Sequence, residues 1–195
     1  MFDFHTHNLM AKKALISVEP GFTPLEGALY SVGIHPWHSA DVTREKLQRL
    51  EADARLDCVK AIGETGLDKL RGGAAEAQIE LLKHHIELSE TLGKPLVLHV
   101  VKAFPEIIVL KRRMQPVQPW IIHGFRGKRQ LAEELLRHGF YLSLGENFNA
   151  EAARIIPSNR LLVETDESTA NIAAIAGRHL QLDPALAVRL LKLND

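Results

Sequence analysis

The chain has 195 residues, 46% hydrophobic and 25% charged, enough for one sizeable core and too few for two comfortable domains. Its 24 basic and 24 acidic residues balance, which disfavours a tight sequence-independent DNA binder and gives no pull toward a membrane. The single cysteine, Cys58, excludes an internal disulfide and fits a reducing compartment. No apolar run approaches the roughly 18 residues of a membrane span, so a cytoplasmic protein is expected.

Met1–Thr6 opens the chain as a strand-like run bearing Asp3-Phe4-His5-Thr6-His7. A side-chain period of two sends Asp3, His5 and His7 to one face and Phe2, Phe4 and Thr6 to the other. Two imidazoles side by side at a strand end make half of a metal site, because a neutral ring nitrogen is a common donor to divalent cations. Ala14–Val18 and Leu29–Ile34 are the next strands. The link from Asn8 to Ala14 and the Pro/Gly-bearing link from Glu19 to Pro24 are short, whereas a parallel crossover normally needs about a dozen residues or more. A helix is expected over Val42–Leu56, then a strand over Val59–Gly63 with Glu64 at its exit. The helix expected at Glu76–Leu92 sets Ile79, Leu82 and Ile86 against Glu80, Lys83, Glu87 and Glu90, and Gly93-Lys94-Pro95 stops it. There follow strand Pro95–Val100 with His99, helix Phe104–Met114, strand Trp120–His123 and helix Lys128–His138. Strands Phe140–Leu144 and Leu161–Thr165 come next, the latter leading to Asp166. Helices Asn171–Leu180 and Ala185–Leu193 close the pattern.

Eight strands alternating with helices predict an α/β fold, a (β/α)8 TIM barrel occupying residues 1–195 as a single domain. The short early links predict a trimmed barrel, with the helices after the first one or two strands missing or reduced. His5, His7, Glu64, His99, His123 and Asp166 all fall at the C-terminal ends of strands, where barrel enzymes build their sites. Four histidines and two carboxylates exceed the needs of one four-coordinate ion. They suit two divalent ions about 3.5–4 Å apart with a bridging carboxylate, a pair able to polarise substrate and activate water. Mixed nitrogen and oxygen donors suit Zn, Mn, Fe or Ni better than Mg alone.

Six motifs in order resemble the TatD-like metal-dependent deoxyribonucleases of the amidohydrolase superfamily. They are Asp3-Phe4-His5-Thr6-His7, Val32-Gly33-Ile34-His35-Pro36-Trp37, Ala61-Ile62-Gly63-Glu64-Thr65-Gly66-Leu67-Asp68, Pro95-Leu96-Val97-Leu98-His99, Ile122-His123-Gly124-Phe125 and Leu162-Val163-Glu164-Thr165-Asp166. The resemblance implies one ion on His5, His7, Glu64 and Asp166 and a second on Glu64, His99 and His123. It also implies phosphodiester hydrolysis, with DNA or a small phosphodiester as substrate. The chain departs from the family pattern at Gly124-Phe125-Arg126-Gly127 and at Glu167-Ser168-Thr169-Ala170, which bears on substrate and not on the ions.

Asp166 reads as ligand and general base, since it can touch both ion and water. Glu164 either orients a ligand histidine or belongs to a buried structural network. His35 contacts substrate or a ligand carboxylate, or orders its loop. Lys102, Arg126 and Lys128 follow strand ends where a phosphate would sit, Arg126 foremost. Asp68 caps or orders the loop after the fourth strand. Trp120 and Trp37 read as packing, with base stacking by Trp37 open as an alternative. His38, His84, His85, His138 and His179 carry no assigned chemistry. Competing functions are hydrolysis of another phosphoester, amide or ester on the same ions, and a non-catalytic metal-binding protein with a relict site.

Overall fold

Eight strands pair in parallel and in chain order: β1 (Asp3–Thr6), β2 (Ala14–Val18), β3 (Leu29–Val32), β4 (Val59–Asp68), β5 (Leu96–Val101), β6 (Trp120–Ile122), β7 (Tyr141–Leu144) and β8 (Leu161–Val163). The computed structural model describes residues 1–178 and 181–193. Beyond β8 the chain returns to β1 through a parallel bridge between Thr6 and Asp166. The Asp166 N–H donates to the His5 carbonyl (2.9 Å) and the His7 N–H to the Asp166 carbonyl (3.2 Å). The buried Asp3 carboxylate adds a side-chain clasp, accepting from the Thr165 N–H (2.9 Å) and hydroxyl (2.6 Å). The result is the expected trimmed (β/α)8 barrel.

One inner layer is made by the second residues of several strands, Phe4, Leu15, Val97, Ile121 and Leu162, together with Ala61. Helix α7 (Leu186–Leu190) packs Leu186 and Ala187 into this layer and closes the barrel end away from the strand C-termini. By alternation the residues above Val97, Ile121 and Leu162 are His99, His123 and Glu164. Strict alternation fails in β1. Asp3 pairs with Ala14 and Thr6 with Ile16, three steps against two, so a bulge lets Phe4 join the inner layer while His5 also turns inward. The expectation that Phe4 faces away from His5 is thereby corrected. A second bulge lies in β4, where Ile62 pairs with Leu96 and Thr65 with Leu98. It brings Glu64 to the inner side, and the strand continues to Asp68, five residues past the expected end at Gly63.

Outside β4–β7 lie helices α2 (Ala75–Leu92), α3 (Phe104–Met114) and α4 (Arg129–Arg137). Leu82, Ile86, Ile107 and Leu135 are fully or almost fully buried beneath them, each such side chain contributing roughly 1.5–3 kcal/mol. Helix α1 (Arg44–Asp53) is shorter than expected, starting after the Thr43 side chain caps the Lys46 N–H. As expected, no helix follows β1 or β2 among the described residues. The link before β3 folds back instead, with Phe22 against the Tyr30 ring (4.6 Å between centroids) and the Leu25 N–H on the Tyr30 hydroxyl.

A second trimmed stretch lies where no helix was expected. Between β7 and β8 stand only the single turn α5 (Ala150–Ala153), capped by Asn149, and a 3-10 turn, Ser158–Arg160. After β8, α6 covers Ile172–Ala176 rather than Asn171–Leu180. Residues 179 and 180 of that expectation, His179 included, lie outside the described residues. Among the described residues no helix is long and apolar enough to cross a membrane.

Candidate metal centre

The Glu64 carboxylate sits amid five imidazoles. On one oxygen, Oε2, it faces His5 Nε2 (3.5 Å) and His7 Nε2 (3.4 Å). On the other, Oε1, it faces His35 Nε2 (3.1 Å), His99 Nδ1 (3.0 Å) and His123 Nε2 (2.8 Å). Asp166 Oδ1 approaches His5 and His7 from across the barrel seam, at 3.8 and 3.6 Å. The seam hydrogen bonds described above hold this aspartate, whose backbone is left-handed (φ +55°), a conformation Asp tolerates better than most residues. Gly66 makes the β4–β5 approach possible. A Cβ there would stand 1.9 Å from the His99 carbonyl oxygen, so any side chain would push the His99 strand away from Glu64.

Around these groups lies a second set of contacts. Glu164, fully buried, reaches His123 Nδ1 at 3.4 Å and accepts the Gly124 N–H at 2.6 Å. Asp68 Oδ2 faces His99 Nε2 at 3.3 Å and accepts the Trp37 indole N–H at 2.6 Å. Each carboxylate orients one ring from behind, which fixes the tautomer that offers the other nitrogen to the centre.

Burial pushes the Glu64 carboxyl up, yet the His123 charge and the hydrogen bonds from its histidines outweigh it and hold the group well below the usual carboxylate range. His123 is the complement: burial lowers it, but Glu64 and Glu164 raise it well above the ordinary imidazole value. His7 is raised by its hydrogen bond to Glu64, against a smaller effect of burial. His35 is lowered because burial outweighs the pull of Glu64.

The donor set fits divalent ions. His5 is completely buried, its Nδ1 has no hydrogen-bond partner and its Nε2 lies no nearer than 3.5 Å to Glu64, a state costing roughly 1–3 kcal/mol unless something accepts the lone pair. Ligand atoms lie within 4.8 Å of one another in three groups: His5, His7 and Glu64; His5, His123 and Asp166; His35, Glu64 and His99. This grouping differs from the resemblance in two respects, placing His35 beside His99 and bringing His123 nearer to His5.

A family model described as TatD-related DNase matches residues 23–177. The chain belongs to that family. It is 33% identical over 171 residues to YcfH of Escherichia coli strain K12, an uncharacterized metal-dependent hydrolase, covering 83% of this chain and 63% of YcfH. It is 33% identical over 152 residues to the 3′-5′ ssDNA/RNA exonuclease TatD of Enterobacter lignolyticus, covering 70% of this chain and 56% of that protein. The chain therefore spans about three fifths of the length of these curated relatives. The structure superposes on YjjV, a TatD homologue of Escherichia coli K12, with a TM-score of 0.75 at 19% identity over 98% of this chain and 95% of that one. This likeness confirms the barrel shared by TatD-family members.

Within this TatD-family barrel the six expected ligands converge, and His35 joins them through Glu64 while its Nδ1 accepts the Trp37 N–H. Glu164, read either as orienting a histidine or as part of a buried structural network, lies fully buried between His123 and the Gly124 N–H. Lys102 and Arg126 are exposed and neither lines the cavity of about 360 Å³ above Glu64. Two groups were undervalued in the sequence. Asp68 orders the following loop by accepting the Leu70 and Arg71 N–H groups, but it also grips His99. The alternation Glu64-Gly66-Asp68 on a continuing strand carried that signal. His85, given no chemistry, accepts the Ile34 N–H at 2.9 Å and so fixes the strand end that presents His35.

Proposed function

We propose that this chain is a metal-dependent hydrolase of ester bonds, cleaving a phosphodiester in DNA or a smaller molecule at a two-metal centre. The observation that carries this reading is the convergence of five imidazoles on the two oxygens of Glu64, with Asp166 alongside. His5, His7, Glu64 and Asp166 would hold one ion, and Glu64, His99 and His123 the other, with His35 touching the bridging carboxylate. Zn, Mn, Fe, Ni and Mg are the candidates. Such ions would polarise a phosphoryl oxygen and acidify water near neutral pH.

The protein groups supply the rest. Glu64, kept ionised by its histidines, shares its charge between both sides. Asp166, which lines the cavity, would take the proton of attacking water. Glu164 and Asp68 keep His123 and His99 in register. Purified protein with Mg, Mn or Zn is expected to cut short DNA, and Asp166→Asn to leave ion binding measurable while removing turnover. Undiminished turnover in that variant sinks the assignment of the base.

A second reading has one observation in its favour. The cavity wall carries Glu19, Glu64, Asp166 and Glu167 and no Lys or Arg among the described residues, so the protein wall alone does not demand an anionic substrate. Hydrolysis of a neutral ester or amide on the same centre is the reading this supports. A panel of phosphodiesters, esters and amides decides between the two.

A further inference from the structure

One strip of the cavity rim takes no part in holding ions. Trp37 lies in the 3-10 turn Pro36–Asp41, lines the cavity and is 42% exposed. Its indole N–H is pinned to Asp68 Oδ2, and the His35 ring meets it nearly at right angles, 4.5 Å between centroids. The Arg71 guanidinium lies 4.7 Å from the centre of the indole. An exposed tryptophan with one cation laid against it stands directly beside His35 and His99.

This pair is built in advance. Buried Gln78 donates to the carbonyls of Asp68, Arg71 and Gly73 at 2.9–3.0 Å and accepts the Asp68 N–H at 2.8 Å. The Gly73 N–H reaches the Ser39 hydroxyl of the Trp37 turn at 3.1 Å. Gly72 (φ +94°) lies so close to that turn that a Cβ would stand 2.3 Å from the Pro36 carbonyl oxygen. The turn carrying Trp37 and the loop carrying Arg71 are thus stitched into one body, and a ligand binding there meets little cost of ordering. An indole face accepts any nucleobase, and a guanidinium offers a planar fork to phosphate oxygens.

We propose that Trp37 and Arg71 form a nucleotide subsite, the indole stacking a base beside the scissile phosphate and Arg71 contacting the adjoining phosphate. The subsite gives the wall without Lys or Arg its means of choosing a nucleic acid over a simple ester, and it rests on the phosphodiesterase reading.

Trp120 is fully buried, so a nucleotide at the rim quenches Trp37 selectively. The test titrates the Mg-loaded full chain with thymidine 5′-monophosphate and with ribose 5-phosphate, which lacks the base. Fluorescence follows the wild type, and calorimetry follows Trp37→Ala, Trp37→Phe and Arg71→Ala. The nucleotide is expected to quench saturably and to bind at least about fivefold tighter than the sugar phosphate. Trp37→Ala should erase that ratio and Trp37→Phe should keep part of it. Arg71→Ala, a change at an exposed side chain, should weaken the nucleotide severalfold. Equal binding of the two probes, binding of neither, or an undiminished ratio in Trp37→Ala overturns the subsite. DNA cleavage with equal probe binding removes the subsite and leaves the reaction. Base-dependent quenching without cleavage of any phosphodiester upholds the subsite and removes the reaction.

Discussion

The two sides of the barrel are supported by different means. β4, β5 and β6 stand against long helices, and Glu64, His99 and His123 project from strands whose outer faces are buried. Among the described residues no helix follows β1 or β2, and Leu9, Met10 and Leu25 are left 56, 77 and 46% exposed on that flank. Yet β1 carries His5 and His7. Their positions are set by the seam with the β8 exit, through Asp3, Thr165, Thr6 and Asp166. Half of the centre is held by hydrophobic backing and half by buried polar cross-links, so the halves should fail in different ways.

The largest effect is expected where the halves meet. Glu64→Gln removes the one charge facing both groups of histidines, and turnover should fall by at least about 10³-fold, equivalent to about 4 kcal/mol. Metal titration of the variant should show weakened uptake on both sides. Loss confined to one side would mean that Glu64 is not shared.

The next effect belongs to the helix-backed half. His85 is wholly buried on α2, its Nδ1–H donating to the Leu81 carbonyl and its Nε2 accepting the Ile34 N–H. Burial pushes its pKa down from 6.5 to about 4. The unfolded chain protonates this ring as pH falls through 6.5, whereas the folded chain resists until about 4. The stability due to the neutral ring is therefore complete above pH 6.5 and is lost between 6.5 and 4, on the order of 3 kcal/mol. Urea unfolding from pH 7 to 4.5 should show this slope in the wild type and a shallower one in His85→Gln. Parallel slopes would remove His85 from the account.

The contrast between the halves also explains what the sequence revealed. The barrel was legible because β-branched runs and helical stripes such as Ile79-Leu82-Ile86 follow their own periods. The missing helices after β1 and β2 were legible because a dozen residues do not fit between Asn8 and Ala14. The side chains that converge on Glu64 were legible as polar residues ending apolar runs. The bulges in β1 and β4 were not, since each replaces a period of two by three in response to a neighbouring strand, which no local pattern records. Asp68 was half legible. Its loop-ordering role follows from local chain chemistry, whereas its grip on His99 depends on β4 running on beside β5. The phosphate role expected of Lys102 and Arg126 rested on chain position after strands, and neither residue lines the cavity above Glu64.

On the seam side, Asp3→Ala removes both bonds to Thr165. The Thr165 N–H then loses its acceptor while the hydroxyl keeps Thr6 Oγ1 at 3.0 Å, and a stability loss of about 1–2 kcal/mol is expected in urea melts. The decisive comparison is with function at low denaturant. If the seam sets His5 and His7, the variant loses affinity for the ion on that side while the His99 side keeps its own. A variant as stable and as tight as the wild type would show that the apolar inner layer, with Phe4 in it, holds β1 unaided.

The smallest effect is the sharpest test of independence. Asp68→Asn keeps the size of the side chain and an oxygen for the Trp37 indole N–H, but withdraws the charge behind His99. Ring basicity should fall, and affinity for the ion on the His99 side should weaken about tenfold, the low end for an outer carboxylate partner. Because Asp68 touches neither His5 nor His7, the other binding step in a calorimetric titration should stay where it was. Unchanged Trp37 emission would confirm that the loop is intact. Should both steps weaken together, the two halves communicate through Glu64, and the bridging carboxylate, not the separate support of each strand, governs how the centre binds its ions.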